Sequence, residues 1–253
     1  MSARHLGLLV ALLVLAAGFS VPDPARAANP LIADLSKNSI EITTGFSGTD
    51  VLLFGAIEGE GDVLVEVRGP ASDIVIRRKE RTLGIWINRD QVGFADVPSF
   101  YRLASSPGIF ETAPNRALVR QYGIGTANLD LTTIGDIPDG HHASFRAGMI
   151  RNFEAAGLYA EDIGGVEFLG PGLFSAKLHF PANVVTGTYA VQVYLLREGL
   201  VVSKLNYSLV VQKIGIGAQV FAFAHEYPAA YGVLAIAIAL LAGWFAGFVF
   251  RRR

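Results

Sequence analysis

The sequence of 253 residues contains no cysteine. This absence excludes disulfide bonds, thiolate metal sites and a cysteine nucleophile. The chain also lacks an excess of charge of either sign, because 21 Lys and Arg residues stand against 22 Asp and Glu residues. The formal net charge of -1 does not favour nucleic acid as a partner, and we expect none.

Motifs that mark catalysis are missing as well. There is no P-loop, no dinucleotide-binding glycine pattern and no G-x-S-x-G around Ser105–Ser106. His141 and His142, near Asp136 and Asp139, lack the spacing of metal-ligand pairs and are interpreted as polar residues at a helix start. We therefore expect a non-catalytic protein without metal or cofactor. A hydrolase that uses His141 or His142 is the enzymatic alternative.

Charge is absent from one long stretch, residues 229–250, which reads AAYGVLAIAIALLAGWFAGFVF. As a helix this run would be about 33 Å long, enough to cross the hydrocarbon core of a bilayer. A single span must be helical, because its backbone amides find no water in lipid. Arg251, Arg252 and Arg253 follow it, and positive residues beside a span stay on the cytoplasmic side. The sequence thus predicts one transmembrane helix in a lipid bilayer, with a cytoplasmic tail at 251–253.

Residues 1–27 have the pattern of a secretory signal peptide. A short positive start precedes an apolar run over 6–19, and Ala25-Arg26-Ala27 has the small-x-small form of a cleavage site. An uncleaved N-terminal anchor is the alternative, and it would export the following residues too. We expect a single-pass protein of the bacterial inner membrane whose body, residues 28–213, lies in the periplasm.

Alternating apolar and polar residues, with breaks at Gly and Pro, indicate strands on both sides of the middle of the body. Val51–Ile57 is continuously apolar and is predicted to be buried on both faces, whereas Val63–Val67 alternates cleanly. Val185–Val191 fits a tyrosine corner, in which Tyr189 would bond to upstream backbone as in immunoglobulin-like domains. The predicted fold is mainly β, with an immunoglobulin-like β-sandwich ectodomain.

The strand pattern fades over about residues 98–160, where we predict a partly helical insertion. Thr112–Gln121 is predicted to form a short helix with Pro114 in its first turn. Gly140–Ala156 is predicted to form a second helix, capped by Asp139. Its apolar face would consist of Phe145, Met149, Phe153 and Ala156. Residues 214–228 are predicted to lie in the headgroup zone, or alternatively to be a stiff connector that continues the span.

Small residues recur every four positions in the predicted span, at Ala235, Ala239, Gly243 and Gly247. Small side chains at this spacing let another helix approach closely, and the packing gained is not matched by lipid tails. The alternative is that Ala and Gly are simply common in membrane spans. This small-residue ladder predicts a helix-packing partner, either an integral membrane protein or a second copy of the chain.

A basic cluster lies between the two halves of a hairpin predicted over residues 74–88, and we place it at the tip. The cluster consists of Arg77, Arg78, Lys79 and Arg81. Guanidinium groups match the oxygens of phosphate or sulfate, so the cluster could hold an anion or a phospholipid headgroup. The alternative is a charged tip that only keeps the hairpin soluble.

Five stretches carry a resemblance to a known family: Thr43–Phe46 with Val51–Ala56, Gly84–Asn88 with Pro98–Tyr101, and Phe223–Trp244. In these the chain resembles uncharacterised alphaproteobacterial membrane proteins with a single C-terminal span. The resemblance implies no activity and no catalytic residues. It also implies an accessory association with a sulfite-exporter-type permease, because members of the family can be encoded beside such a permease.

These observations lead to two hypotheses of function. The first is a non-catalytic, membrane-anchored periplasmic accessory protein of a transporter or envelope complex. The alternative is a periplasmic anion-binding or sensor module anchored to the inner membrane. The first rests on the span and its ladder, and the second rests on the basic cluster.

Overall fold

The structure is a computed structural model that describes residues 29–82, 84–135 and 142–250. Within the last range, only the backbone is described for residues 216–219 and 222. Several sequence predictions therefore lie outside the described residues. They concern the signal peptide, Asp136, Asp139, His141, Arg251, Arg252 and Arg253.

Thirteen strands are seen in the described chain. They are β1 (Leu31–Leu35), β2 (Ser39–Ile42), β3 (Gly48–Ile57), β4 (Asp62–Arg68), β5 (Ala71–Thr82), β6 (Ile85–Pro98), β7 (Tyr101–Ser105), β8 (Thr132–Ile134), β9 (Tyr159–Ile163), β10 (Val166–Phe168), β11 (Leu173–Pro181), β12 (Gly187–Arg197) and β13 (Leu200–Lys213). The helices are α1 (Ala113–Gln121), α2 (His142–Ala155), α3 (Ile216–Glu226), α4 (Pro228–Phe250) and a 3-10 turn, Thr126–Asn128.

Two sheets face each other as a sandwich. The first has the strand order β1-β3-β11-β10, with antiparallel pairs throughout. The second has the order β2-β13-β12-β4-β7-β9, in which β2 and β9 run parallel to their neighbours. Between the sheets lies a buried apolar core that includes Leu53, Phe174, Phe180, Val65, Val67, Val191 and Val193. The mainly β fold predicted from the sequence is therefore confirmed.

The second sheet is covered on its other face as well. A second apolar core unites Leu64, Leu103 and Leu196 of this sheet with residues of a third sheet and of the helices. The third sheet has the order β5-β6-β8, and β6 contributes Val92 and Phe94 to this core. Helix α1 contributes Leu118 and Val119, and α2 contributes Phe145 and Met149.

This second core corrects the predicted burial of two strands. β3 was expected to be buried on both faces, but Val51 and Leu53 are buried while Leu52 and Phe54 are 44% and 43% exposed. In β4, by contrast, all five residues Val63–Val67 are buried. The reason is that an additional layer covers the β4 sheet, whereas no described residue covers the outer face of β3.

The segment predicted to be a partly helical insertion contains strands as well as helices. Both predicted helices form, as α1 and α2. On the predicted apolar face of α2, Phe145 and Met149 are buried and Phe153 is half-buried, whereas Ala156 is exposed and lies beyond the end of the helix. Within the same stretch, however, β7 pairs with β4 as an inner strand of the second sheet. The segment predicted as an insertion thus also supplies part of the sandwich.

The C-terminal region contains the predicted span. α3 and α4 are separate helices that meet at Tyr227, which ends α3. Among the described residues α4 is the one helix long and apolar enough to cross a membrane, and its side chains are not buried against the rest of the chain. It begins one residue before the predicted span and ends where predicted.

Candidate functional site

The small-residue ladder lies entirely within α4. All four of its members fall in the helical range, and a Cβ atom added at Gly243 or Gly247 would meet no other atom within 4 Å. A spacing of four residues keeps the ladder on one slowly winding stripe of the helix surface. Nothing in the described chain packs on this stripe. It is therefore open to another helix.

The basic cluster lies along a strand and not at a tip. Arg77, Arg78, Lys79 and Arg81 all belong to β5, and the turn of the β5–β6 hairpin follows Thr82 and includes Gly84 at a φ of 86°. Because side chains alternate across a strand, Arg77, Lys79 and Arg81 share one face, while Arg78 points to the other. The structure therefore divides the predicted cluster between two faces.

Two of the four basic side chains have polar partners on β6. Arg77 Nε donates to Gln91 Oε1 at 3.3 Å, and Arg78 forms an ion pair with Asp90. Arg89, which sequence reasoning did not include, lies 3.1 Å from Glu80 on the same hairpin. No polar partner is seen for Lys79 or Arg81 among the described residues, and both side chains are exposed. Lys79 and Arg81 are thus the members best placed to meet an anion.

The hairpin also ends in an apolar apex that sequence reasoning missed. Ile85, Trp86 and Ile87 follow the turn and are 68%, 65% and 44% exposed. In the strand register Trp86 lies opposite Arg81, while Ile87 lies opposite Glu80. The signal in the sequence is an aliphatic-Trp-aliphatic run directly after a turn glycine.

A second exposed apolar surface lies on the outer face of the first sheet. Ile32 and Leu173 both pair with Ala56 of β3, so these two residues share a face with Phe54 and Leu52. Their exposed fractions range from 43% for Phe54 to 69% for Ile32. We call Ile32, Leu52, Phe54 and Leu173 the outer apolar face.

A hydrogen-bond network in the interior is centred on Glu66. Glu66 is fully buried, and its Oε1 accepts from Tyr101 at 2.7 Å and from Arg68 at 2.8 Å. The Tyr101 hydroxyl in turn accepts from the backbone amide of Gly125 at 2.6 Å. Burial raises the pKa of Tyr101, and the charge of Glu66 raises it further. This network ties β4 and β7 to the loop before the 3-10 turn.

The serine and histidine candidates are placed in structural positions. Ser106 Oγ accepts from the Val63 amide at 2.8 Å and lies 3.1 Å from its carbonyl. His142 begins α2, with its ring 6.0 Å from that of Phe94. Across residues 29–82, 84–135 and 142–250, no three His, Asp or Glu side chains are grouped so that they could hold a metal ion. The absence of an enzymatic activity and of a metal remains an expectation.

The sandwich also contains the predicted tyrosine corner. The Tyr189 hydroxyl donates to the carbonyl of Val185 at 2.7 Å. Burial raises the pKa of Tyr189 to about 12. This corner fixes the start of β12 beside the connection that precedes it.

Comparisons with known proteins complete the description. No curated protein matches the chain. One similar solved structure is the crystal structure of BslA, a bacterial hydrophobin, at 16% sequence identity, covering 74% of this chain and 96% of that chain. Its TM-score of 0.24 is too low to carry an argument about fold or function. A family model described as "Putative transmembrane protein (Alph_Pro_TM)" matches residues 30–252. The chain therefore belongs to the Alph_Pro_TM family of transmembrane proteins.

Proposed function

We propose that this protein is a non-catalytic, membrane-anchored periplasmic accessory of a transporter or envelope complex. In this proposal α4 spans the inner membrane and packs through its small-residue ladder against an integral membrane protein. The observation that carries the proposal is a 23-residue apolar helix with no side chain buried by the rest of the described chain. Such a helix has its whole surface available to lipid and to other helices.

The ladder supports a specific contact and not only anchorage. Association of helices in lipid depends on close packing, since burying apolar side chains there gains little. Ala235, Ala239, Gly243 and Gly247 offer a surface without bulky side chains, whereas the far side of α4 carries Leu241, Phe245 and Phe248. A partner helix would therefore reach the backbone of α4 most closely along the ladder.

The body supports the role of an accessory through its surface. The outer apolar face leaves four large apolar side chains exposed on one sheet, and a partner outside the membrane could cover them. A sulfite-exporter-type permease is the transporter that the family resemblance favours. The orientation with the body in the periplasm rests on the export signal and on Arg251, Arg252 and Arg253.

The test is a detergent pull-down of the tagged full chain from native membranes. Replacing both Gly243 and Gly247 with Leu should reduce recovery of the integral membrane partner by about tenfold, which corresponds to the loss of about 1.4 kcal/mol of packing. Ala237→Leu is the matched control, because it adds the same side chain on the far side of α4, and it should leave recovery unchanged. Equal recovery with the double variant and the parent would contradict the proposal.

The anion-binding alternative has less support from the geometry. The basic residues of the cluster are divided between two faces of β5, and Arg77 and Arg78 already have partners on β6. An anion held by all four would require these partners to be exchanged. Isothermal titration of the full chain with sulfite, sulfate and phosphate would decide the matter, because measurable heats would support the alternative and their absence would remove it.

A further inference from the structure

We propose that the end of the β5–β6 hairpin docks on the surface of an anionic phospholipid bilayer. The docking element is formed by residues 77–82 and 84–91, which we call the distal hairpin. This inference goes beyond the proposed accessory function and does not depend on the partner of α4. It rests on three features of the distal hairpin: its projection, its apolar apex and its excess of positive charge.

Arg78 lies over the ring of the buried Phe145, and beyond this contact the distal hairpin projects from the protein core. Val92 is the first buried residue of β6, and every residue of that strand before it is exposed or half-buried. From Ile85 to Asp90 this free stretch extends about 17 Å, given the rise per residue of a strand. In the described structure β8 pairs with β6 only at Gly93, Phe94 and Ala95, so no neighbouring strand covers the distal hairpin.

The apex has the composition of a segment that enters the membrane interface. Ile85, Trp86 and Ile87 are all more than two-fifths exposed, which is unfavourable for apolar side chains in water. Tryptophan prefers the headgroup level of a bilayer, and aliphatic side chains prefer the adjoining acyl boundary. Three consecutive strand residues extend about 10 Å, which matches the depth to which interfacial segments enter.

The uncompensated positive charge of the distal hairpin lies on the face that carries Arg77, Lys79 and Arg81, because Arg78 and Arg89 form ion pairs with Asp90 and Glu80. The distal hairpin contains five basic residues, Arg77, Arg78, Lys79, Arg81 and Arg89, against two acidic ones, Glu80 and Asp90. The excess of three positive charges stands out in a chain whose net charge is -1. Lys79 and Arg81, which lack a polar partner among the described residues, are among the last four residues of β5, just before the turn that leads to the apex. They are placed to reach lipid phosphates while the apex is immersed.

A bilayer fits this arrangement better than a protein groove does. Arg81 lies opposite Trp86 in the strand register. Arg89 pairs with Glu80, which lies opposite Ile87. A layer of anionic headgroups complements the uncompensated charge of Arg77, Lys79 and Arg81, and the adjoining acyl boundary accepts the apolar apex. The chain also carries α4, a helix able to span a membrane, so its body lies on a protein that is held beside a bilayer. Insertion must remain shallow, because the free edges of β5 and β6 could not be satisfied in hydrocarbon.

The experiment uses Trp86 as the reporter in the full chain. The sequence contains two tryptophans, Trp86 and Trp244, so Trp244→Phe leaves Trp86 as the only one. This parent is reconstituted in phosphatidylcholine vesicles with and without phosphatidylglycerol. In the anionic vesicles we expect Trp86 emission to shift to the blue and its quenching by acrylamide to fall by about twofold or more. Equal emission and equal quenching in both vesicle types would overturn the proposal.

Two sets of substitutions in the same parent separate lipid docking from other effects. Combined R77Q, K79Q and R81Q should abolish the difference between the vesicles, and so should I85S with I87S. The matched control, K37Q with R120Q and R151Q, removes the same charge from exposed positions elsewhere and should preserve the difference. Far-ultraviolet circular dichroism verifies that each variant is folded, which is expected because every substituted side chain is exposed. An equal loss in the control would overturn the proposal.

Two further measurements distinguish a bilayer from other binding partners of the distal hairpin. Inorganic phosphate added to neutral vesicles should leave Trp86 emission unchanged, and a shift caused by phosphate alone would assign the site to a free anion. Shielding of Trp86 should not depend on the ratio of protein to lipid. Shielding in neutral vesicles that increases with this ratio would instead assign the apex to a contact with a second copy of the chain. Either result would overturn lipid docking.

Discussion

At the scale of single residues, the tyrosine corner shows how far a short pattern can predict a contact. The sequence around Tyr189 predicts that its hydroxyl bonds to upstream backbone, and the bond to the Val185 carbonyl at 2.7 Å confirms it. The pattern is informative because donor and acceptor are only four residues apart. Local sequence therefore fixes both ends of the bond.

Tyr189→Phe should lower the free energy of unfolding by about 1 kcal/mol, because the Val185 carbonyl loses its donor. Thermal unfolding of the full chain in detergent measures the change. Tyr122→Phe is the control: this residue is 48% exposed, and its substitution should have an effect within about 0.5 kcal/mol. Equal effects of the two substitutions would contradict the assignment of a structural role to the Tyr189 hydroxyl.

The contribution of Tyr189 should also depend on pH in a defined direction. Its pKa is raised from 10.0 to about 12, so folding favours the protonated hydroxyl. The stabilisation is fully present below pH 10.0 and is lost as the pH rises towards about 12. The difference in stability between the parent and Tyr189→Phe should therefore narrow over this range.

Glu66 illustrates the opposite case, in which sequence reasoning could not find the contact. It alternates with Val65 and Val67, a pattern that suggests a solvent-facing residue, yet it is fully buried. Its partner Tyr101 lies 35 residues away, and the loop at Gly125 completes the network from farther along the chain. Only the tertiary arrangement brings these three groups together.

At the scale of elements, the strands and helices were predictable from the sequence, but the layers that cover their outer faces were not. The continuous apolar run of β3 and the alternation of β4 describe each strand's own side chains. Whether the second face of a strand is buried depends on which layer covers it, and that layer comes from β5, β6 and the helices. The basic cluster was misplaced for a similar reason. The sequence predicted the hairpin, but the length of its strands, and therefore the position of its apex, depends on cross-strand pairing.

Two leucines on these strands provide a direct comparison. Leu64→Ala in β4 should destabilise the body by about 2–5 kcal/mol, because Leu64 is fully buried in the second core. Leu52→Ala in β3 should cost less than about 1 kcal/mol, because Leu52 is 44% exposed on the outer apolar face. Chemical denaturation of both variants measures the two losses in the free energy of unfolding. Equal losses would show that the outer apolar face is covered in the folded protein.

At the scale of the whole molecule, the anchor was the most predictable feature. A bilayer imposes both length and composition on a span, so residues 229–250 could be assigned without knowledge of the rest of the fold. The structure adds that α4 is not part of the core of the body.

The central claim is that the body is exported while the C-terminus stays in the cytoplasm. The most direct measurement fuses either of two reporters after Arg253: alkaline phosphatase, which is active only in the periplasm, and a fluorescent protein that folds in the cytoplasm. The account predicts bright fluorescence and no phosphatase activity, because the three terminal arginines hold the tail inside. Active phosphatase with a dark fluorescent fusion would contradict it.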